Sequence, residues 1–403
     1  MNARIPESVL AVVVATCAAY GATLVAQNAT GTASPKPAAA PAAAAKAPAG
    51  APATGYRAPR TPDGRPDLQG FWTNATLTPL QRRPEVTKEY VTKEEFEKTV
   101  AQRAVTDEEQ TTPGTTADVH YDFTQYALDK TQSKISANGY RTSLIIDPPD
   151  GKIPPQTAEG QKRNQAIAAA RKQQGAATDR VQNQGIGTRC IIMGGAGPPL
   201  MDAGYNANYQ IVQSRENVMV LTEMIHDARI IPLDNRPAPP EGYKGWMGAS
   251  RGHWDGDTLV VETTNFNGRN PFQGSSDKMK VTERFTRISA DQIQYCFTVE
   301  DPATWDRPWT AEEVLVKTDG PIFEHACHEG NYGVYNTLAG ARREEALGIT
   351  STPPAGRGGP GGPAGAGGAG RGGRQGGGAP GGAAPGTAAP AGGGARQGAP
   401  GTP

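Results

Sequence analysis

Gln292-Ile293-Gln294-Tyr295-Cys296-Phe297-Thr298-Val299-Glu300 alternates along its length. Ile293, Tyr295, Phe297 and Val299 fall on one side of an extended chain, with Gln292, Gln294, Thr298 and Glu300 opposite. A period of two predicts a strand with one dry and one wet face, the pattern of an antiparallel sheet. Similar runs precede it at Tyr209–Gln213, Val218–Glu223, Ala228–Pro232, Thr258–Thr264 and Lys280–Ile288. Thr310–Thr318 and Ile322–Cys327 follow it. Turn residues separate the runs at Asp234-Asn235, Asp255-Gly256-Asp257, Ser289-Ala290-Asp291 and Asp319-Gly320.

Short strands joined by tight turns predict a mainly β domain that is a barrel or a sandwich. The meander order, with no evident crossover, favours an antiparallel up-and-down barrel of the lipocalin-like kind; the β-sandwich is the alternative. Gly70-Phe71-Trp72 resembles the Gly-x-Trp opening of such barrels, whose tryptophan closes one end. Arg141–Ile146 reads as a further strand, ended by Pro148-Pro149-Asp150-Gly151. Two peripheral helices are expected. Lys93–Arg103 follows the capping-box spacing of Thr92 and Glu95, and Gly160–Gln174 carries Ala166, Ile167 and Ala170 on its apolar side.

The two ends differ from this middle. Arg4, the apolar run Val9–Ala15 and the small residues up to Val25-Ala26 have the order of a secretory signal, so residues 1–26 are read as a signal peptide. A degenerate lipobox ending at Cys17 is the alternative. The apolar run is far shorter than the ~20 residues of a membrane span, so no transmembrane span is expected in the mature chain. Residues 27–55 form an Ala/Pro-rich linker, and 351–403 a Gly/Pro/Ala-rich disordered tail. Between them, 56–350 is one domain, helical and loop-rich over 56–188 and strand-rich over 189–332. The expected location is the periplasm or the exterior. There, Cys190, Cys296 and Cys327 suggest one bridge and one leftover thiol. Cys296 suits a strand position as a small hydrophobe, so the expected disulfide is Cys190–Cys327. The 40 basic and 40 acidic residues balance, which argues against nucleic acid as a partner.

Several motifs together resemble a large family of exported bacterial proteins. They are Thr61-Pro62-Asp63-Gly64-Arg65-Pro66-Asp67-Leu68-Gln69-Gly70-Phe71-Trp72, Arg141-Thr142-Ser143-Leu144-Ile145-Ile146-Asp147-Pro148-Pro149-Asp150-Gly151 and Gly252-His253-Trp254-Asp255-Gly256-Asp257-Thr258-Leu259-Val260-Val261. Asp301-Pro302 with Arg307-Pro308-Trp309-Thr310, and Ala326-Cys327-His328-Glu329-Gly330-Asn331, complete the set. The resemblance spans nearly the whole folded region and implies a typical member with an added tail. It carries no established activity, cofactor or catalytic residue.

The chemistry must therefore come from the residues. Of the five histidines, His120, His226, His253, His325 and His328, the densest ligand run is Glu324-His325-Ala326-Cys327-His328-Glu329. His226, His328 and Glu329 are the candidate ligands of a zinc hydrolase, the alternative to a protein without cofactor. Ser250 near His253, Asp255 and Asp257 lacks the frame of a nucleophile site. Glu223, Glu262, Glu283, Glu300 and Asp301 are read as solvated single acids, with a paired-carboxylate hydrolase as the outside reading. Trp246, Arg251, Trp254, Trp305 and Arg307 are the candidate ligand-binding set, a mouth that stacks on a sugar or aromatic compound while arginine pairs a carboxylate. The expected role is binding of a small molecule or glycan at the barrel mouth. An envelope structural or adaptor protein is the third class, and oligomeric state is left open.

Overall fold

The computed structural model describes residues 56–111 and 134–349, apart from 194, 205, 235, 238 and 241. The signal segment, the linker, Cys17, His120, Tyr205 and the Gly-rich tail lie outside the described residues.

Ten strands form one antiparallel sheet: β1 (Gly70–Thr73), β2 (Ile145–Asp147), β3 (Asn208–Gln213), β4 (Asn217–Thr222), β5 (Ala228–Pro232), β6 (Ala249–Asp255), β7 (Thr258–Thr264), β8 (Lys280–Arg287), β9 (Gln292–Glu300) and β10 (Trp309–Lys317). The order of neighbours is β5-β4-β3-β1-β10-β9-β8-β7-β6, with β2 paired to β10 off this path. Around the ring the strands thus follow chain order, which is up-and-down topology. Trp72 of β1 lies between Tyr209 of β3 and Lys317 of β10, so β1 joins the two meanders. No ladder joins β5 to β6 among the described residues. That seam is held by side chains: a Cβ on Gly252 of β6 would lie 2.8 Å from Leu233 Cδ2 and 2.9 Å from Ile231 Cγ2. The sheet is a nearly closed barrel, an arrangement that leaves little free edge.

The inward parity expected for β9 holds, with Ile293, Tyr295, Phe297 and Val299 fully buried. They join Trp72, Tyr209, Ile211, Val220, Phe285, Trp309 and Leu315 in one core. The interior is filled by side chains rather than hollow. The expected bridge is present: Cys190 and Cys327 are disulfide-bonded, and Cys296 is the free thiol among the described residues.

Among the described residues, three α-helices lie outside the barrel rather than two. In α1 (Lys93–Thr111) the capping box forms, with Glu95 N donating to Thr92 Oγ1 at 3.1 Å and Thr92 N to Glu95 Oε2 at 2.8 Å. α2 (Ala158–Gln173) docks through polar groups; of its expected apolar side, Ala166 and Ala170 are exposed and Ile167 is half-buried. Arg163 donates to Ala303 O and to Gly274 O, and Gly160 lies so near Thr304 that a Cβ would be 2.8 Å from its carbonyl oxygen. α3 (Tyr332–Ala346) was not among the expected helices, although Val334, Leu338 and Ala341 recur at helical spacing and are half-buried.

Three strand assignments differ as well, the expected Arg141–Ile146 strand being reduced to β2 at Ile145–Asp147. β6 was passed over because its inward positions are Ser250, Gly252 and Trp254, and the crowded seam admits no larger alternation at Gly252. Ile322–Cys327 alternates but is not a strand. Phe323 N donates to the Glu223 side chain at 3.3 Å instead of to a ladder.

Candidate functional site

Register sorts the two barrel ends. Asp255, Thr258, Arg287, Gln292 and Lys317 lie at one, and Ala249, Thr264, Lys280, Glu300 and Trp309 at the other. The first end is closed. Trp72 is fully buried, its Nε1 donates to Leu68 O at 3.0 Å, and the Arg287 guanidinium stands 5.5 Å from its ring centroid. Arg287 Nη1 also donates to Asp67 O at 2.6 Å, binding the Pro66–Leu68 turn across the opening.

The second end is stopped by a plug, residues 195–202, that reaches into the core. Leu200 is fully buried, and its N–H donates to the Tyr295 hydroxyl at 2.9 Å. Tyr209 donates to Gly195 O at 3.1 Å and also lies 3.3 Å from Met201 O. Gly195 has φ +91°, and a Cβ there would sit 2.6 Å from Met201 O, so the tight fold of the plug requires glycine. The disulfide at Cys190 anchors the approach to the plug.

Beneath the plug lies a polar cluster within an otherwise apolar core. Tyr295 donates to Glu283 Oε1 at 2.8 Å, and the same carboxylate receives both terminal nitrogens of Arg229, one at 3.0 Å. The Arg229 and Glu283 side chains are 5% and 0% exposed. Burial opposes the charge on Arg229, but the Glu283 carboxylate outweighs it and holds the guanidinium above its usual pKa. Burial, followed by the nearby Glu283 charge, raises the Tyr295 hydroxyl. On β10, Glu313 is 1% exposed and accepts from Asn74 Nδ2 at 3.0 Å. Burial pushes its carboxyl up to about 8, with Asp202 of the plug adding to the rise against the opposing Asn74 hydrogen bond.

Two clefts flank this core. One, of about 230 Å³, lies at the plugged end beside the β5–β6 seam. Ile191 and Ile192 line one side, with Tyr243, Trp246 and Met247 facing them and Asp227 as the single charge. Burial raises Asp227 above the ordinary aspartate pKa, against the opposing effect of His226. The other, of about 290 Å³, lies on the outer wall over Phe71, Gln210 and Leu221, beneath the Pro321–Glu324 segment.

No family model matches the chain, and no curated protein is similar to it.

The five expected mouth residues are not brought together. Trp246 lines the mouth cleft. Arg251 points outward from β6 and donates to Pro237 O. Trp254 belongs to the closed end, and its buried Nε1 has no partner. Trp305 is core, edge-on to Trp309 at 5.8 Å. Arg307 is exposed and pairs with Asp147 at 2.7 Å. His226, His328 and Glu329 likewise form no ligand set: His226 Nδ1 lies 3.1 Å from His325 O, His328 and Glu329 are exposed, and no group of three metal-binding side chains occurs among the described residues. Ser250 faces inward to Thr263 Oγ1 at 2.8 Å, whereas His253 faces outward.

The acids read as solvated divide. Glu262 and Glu300 are at the surface as an ion-paired set with Lys280. Glu223, Glu283 and Asp301 are buried. Glu313 and Arg229 were missed altogether. The signal that finds them is strand parity: Glu283 stands between Val281 and Phe285, and Glu313 between Ala311 and Leu315, each in an inward register.

Proposed function

We propose that this protein binds a small organic molecule, preferably an aromatic cation, in the mouth cleft. The observation that carries the reading is Asp227, a half-buried carboxylate set among Tyr243, Trp246, Met247, Ile191 and Ile192. Apolar walls supply burial, tryptophan and tyrosine supply a π-face for a cation, and the single carboxylate supplies the counter-charge. The volume is below the usual range for drug-sized ligands and suits one ring with a short substituent. The enclosed positions of Glu283 and Glu313 under the plug favour binding over a paired-carboxylate hydrolysis. The export-like N-terminus and the disulfide support a periplasmic or extracellular setting, and membership of the exported bacterial family is part of the same proposal.

Benzylamine, benzyl alcohol and methyl glucoside test it by two-dimensional NMR of the full chain. Benzylamine is expected to move the Trp246 indole resonance saturably, benzyl alcohol to do so more weakly and the glucoside not at all, with Asp227→Asn removing the preference for the amine. A stronger response to the glucoside would turn the assignment to a glycan. If none of the three shifts that resonance, the cleft is not a binding site for this class.

A further inference from the structure

Among the described residues, two of the buried oxygens without a partner belong to side chains that already touch. Asn74 Nδ2 donates to Glu313 Oε1 at 3.0 Å, yet Asn74 Oδ1 and Glu313 Oε2 are both buried and unsatisfied. Each residue is 1% exposed. A buried acceptor without a donor is costly, and a buried carboxylate without a cation more so. Arg229, a buried cation of this interior, is spent on Glu283. A carboxylic acid facing a primary amide makes two antiparallel hydrogen bonds, and the second requires one proton on the acid. That proton satisfies both orphaned oxygens at once.

We propose that Glu313 is a one-proton binding site: its Oε2–H donates to Asn74 Oδ1, closing a neutral acid–amide pair, and loss of this proton releases the plug. The groups around Glu313 explain the coupling. Asp202 of the plug acts on it directly, and its own carboxylate accepts from Thr76 N at 3.0 Å and Gly204 N at 2.7 Å. Tyr209 of β3 senses both acids and holds Gly195 and Met201 through its hydroxyl. Arg229, Glu283 and Tyr295, from β5, β8 and β9, form the neighbouring cluster, in which the two charges cancel. An ionised Glu313 would therefore face the like charge of Asp202, and the repulsion falls on the plug.

Glu313→Gln is the discriminating variant, because its amide donates to Asn74 Oδ1 without needing a proton. The folded carboxyl holds its proton to a higher pH than the unfolded one, so the wild type loses stability as pH rises through that interval. Relative to Glu313→Gln, the wild-type unfolding constant should increase by about tenfold per pH unit between about pH 5 and 8 and level off above. The Leu200 amide should exchange faster in the wild type than in the variant at the same alkaline pH. Should the variant not fold, ¹³C NMR of glutamate-labelled wild type gives the same answer: one carboxyl resonance stays at the protonated position at about pH 6 and moves only above neutrality. Parallel stability curves, or no carboxyl protonated at that pH, would overturn the proposal in favour of an ionised Glu313 bridged by water or a cation.

Discussion

Removing Arg229 isolates the charge of Glu283 where solvent cannot reach it. The pair is 5% and 0% exposed, and Glu283 keeps a hydrogen bond from Tyr295 but has no second cation among the described residues. Breaking one side of a buried pair costs about 3–5 kcal/mol, whereas replacing both partners is often close to neutral. Arg229→Met and Glu283→Gln should therefore each destabilise by about that amount, and the double variant by less than either. A second consideration favours recovery in the double variant: Arg229 Nε is itself buried without a partner, so the substitution removes an unsatisfied donor. Urea unfolding of the four proteins, compared at equal slope, measures the cycle. A double variant as unstable as the two single losses added together would show that the loss comes from packing and not from stranded charge.

The disulfide spans a sequence separation of 137 residues, and constraining a loop of this size is worth about 5 kcal/mol in the chain-entropy model. Cys190→Ser/Cys327→Ser should unfold at markedly lower urea, and an unchanged midpoint would show that the bridge adds nothing beyond the packed plug. At the seam, Gly252→Val forces a side chain against Ile231 and Leu233 and should cost about 1–3 kcal/mol. His253→Val on the outward face of the same strand should stay within about 0.5 kcal/mol. Equal losses in the two would mean that β6 is not packed against β5 as described.

The barrel was legible because strand parity is a local property. Gln292–Glu300 alone places four side chains inward, and all four are buried. The Cys190–Cys327 pairing was also accessible, since Cys296 sits mid-strand on β9. β6 was hidden because the closing seam demands glycine at an inward position, which erases the alternation that marks a strand. Ile322–Cys327 showed the converse, an alternating segment that crosses an outer wall and bonds a buried glutamate.

The candidate site was less accessible. Trp246 was found by residue type, but Asp227 and the plug at 195–202 were not. Tryptophan and arginine near strand ends look alike in a sequence whether they face a cleft, the core or water. Trp246, Trp305 and Arg307 took those three fates.

What the chain alone determined, then, is which side chains face in, because inward and outward follow from the two-residue repeat of an extended backbone. Only the closed barrel decided which inward groups meet. Arg229, Glu283 and Tyr295 come from three strands, and Glu313 meets Asn74 across 239 positions of sequence. Such contacts depend on ring closure and on the plug entering from one end, and no periodicity within a single strand encodes either.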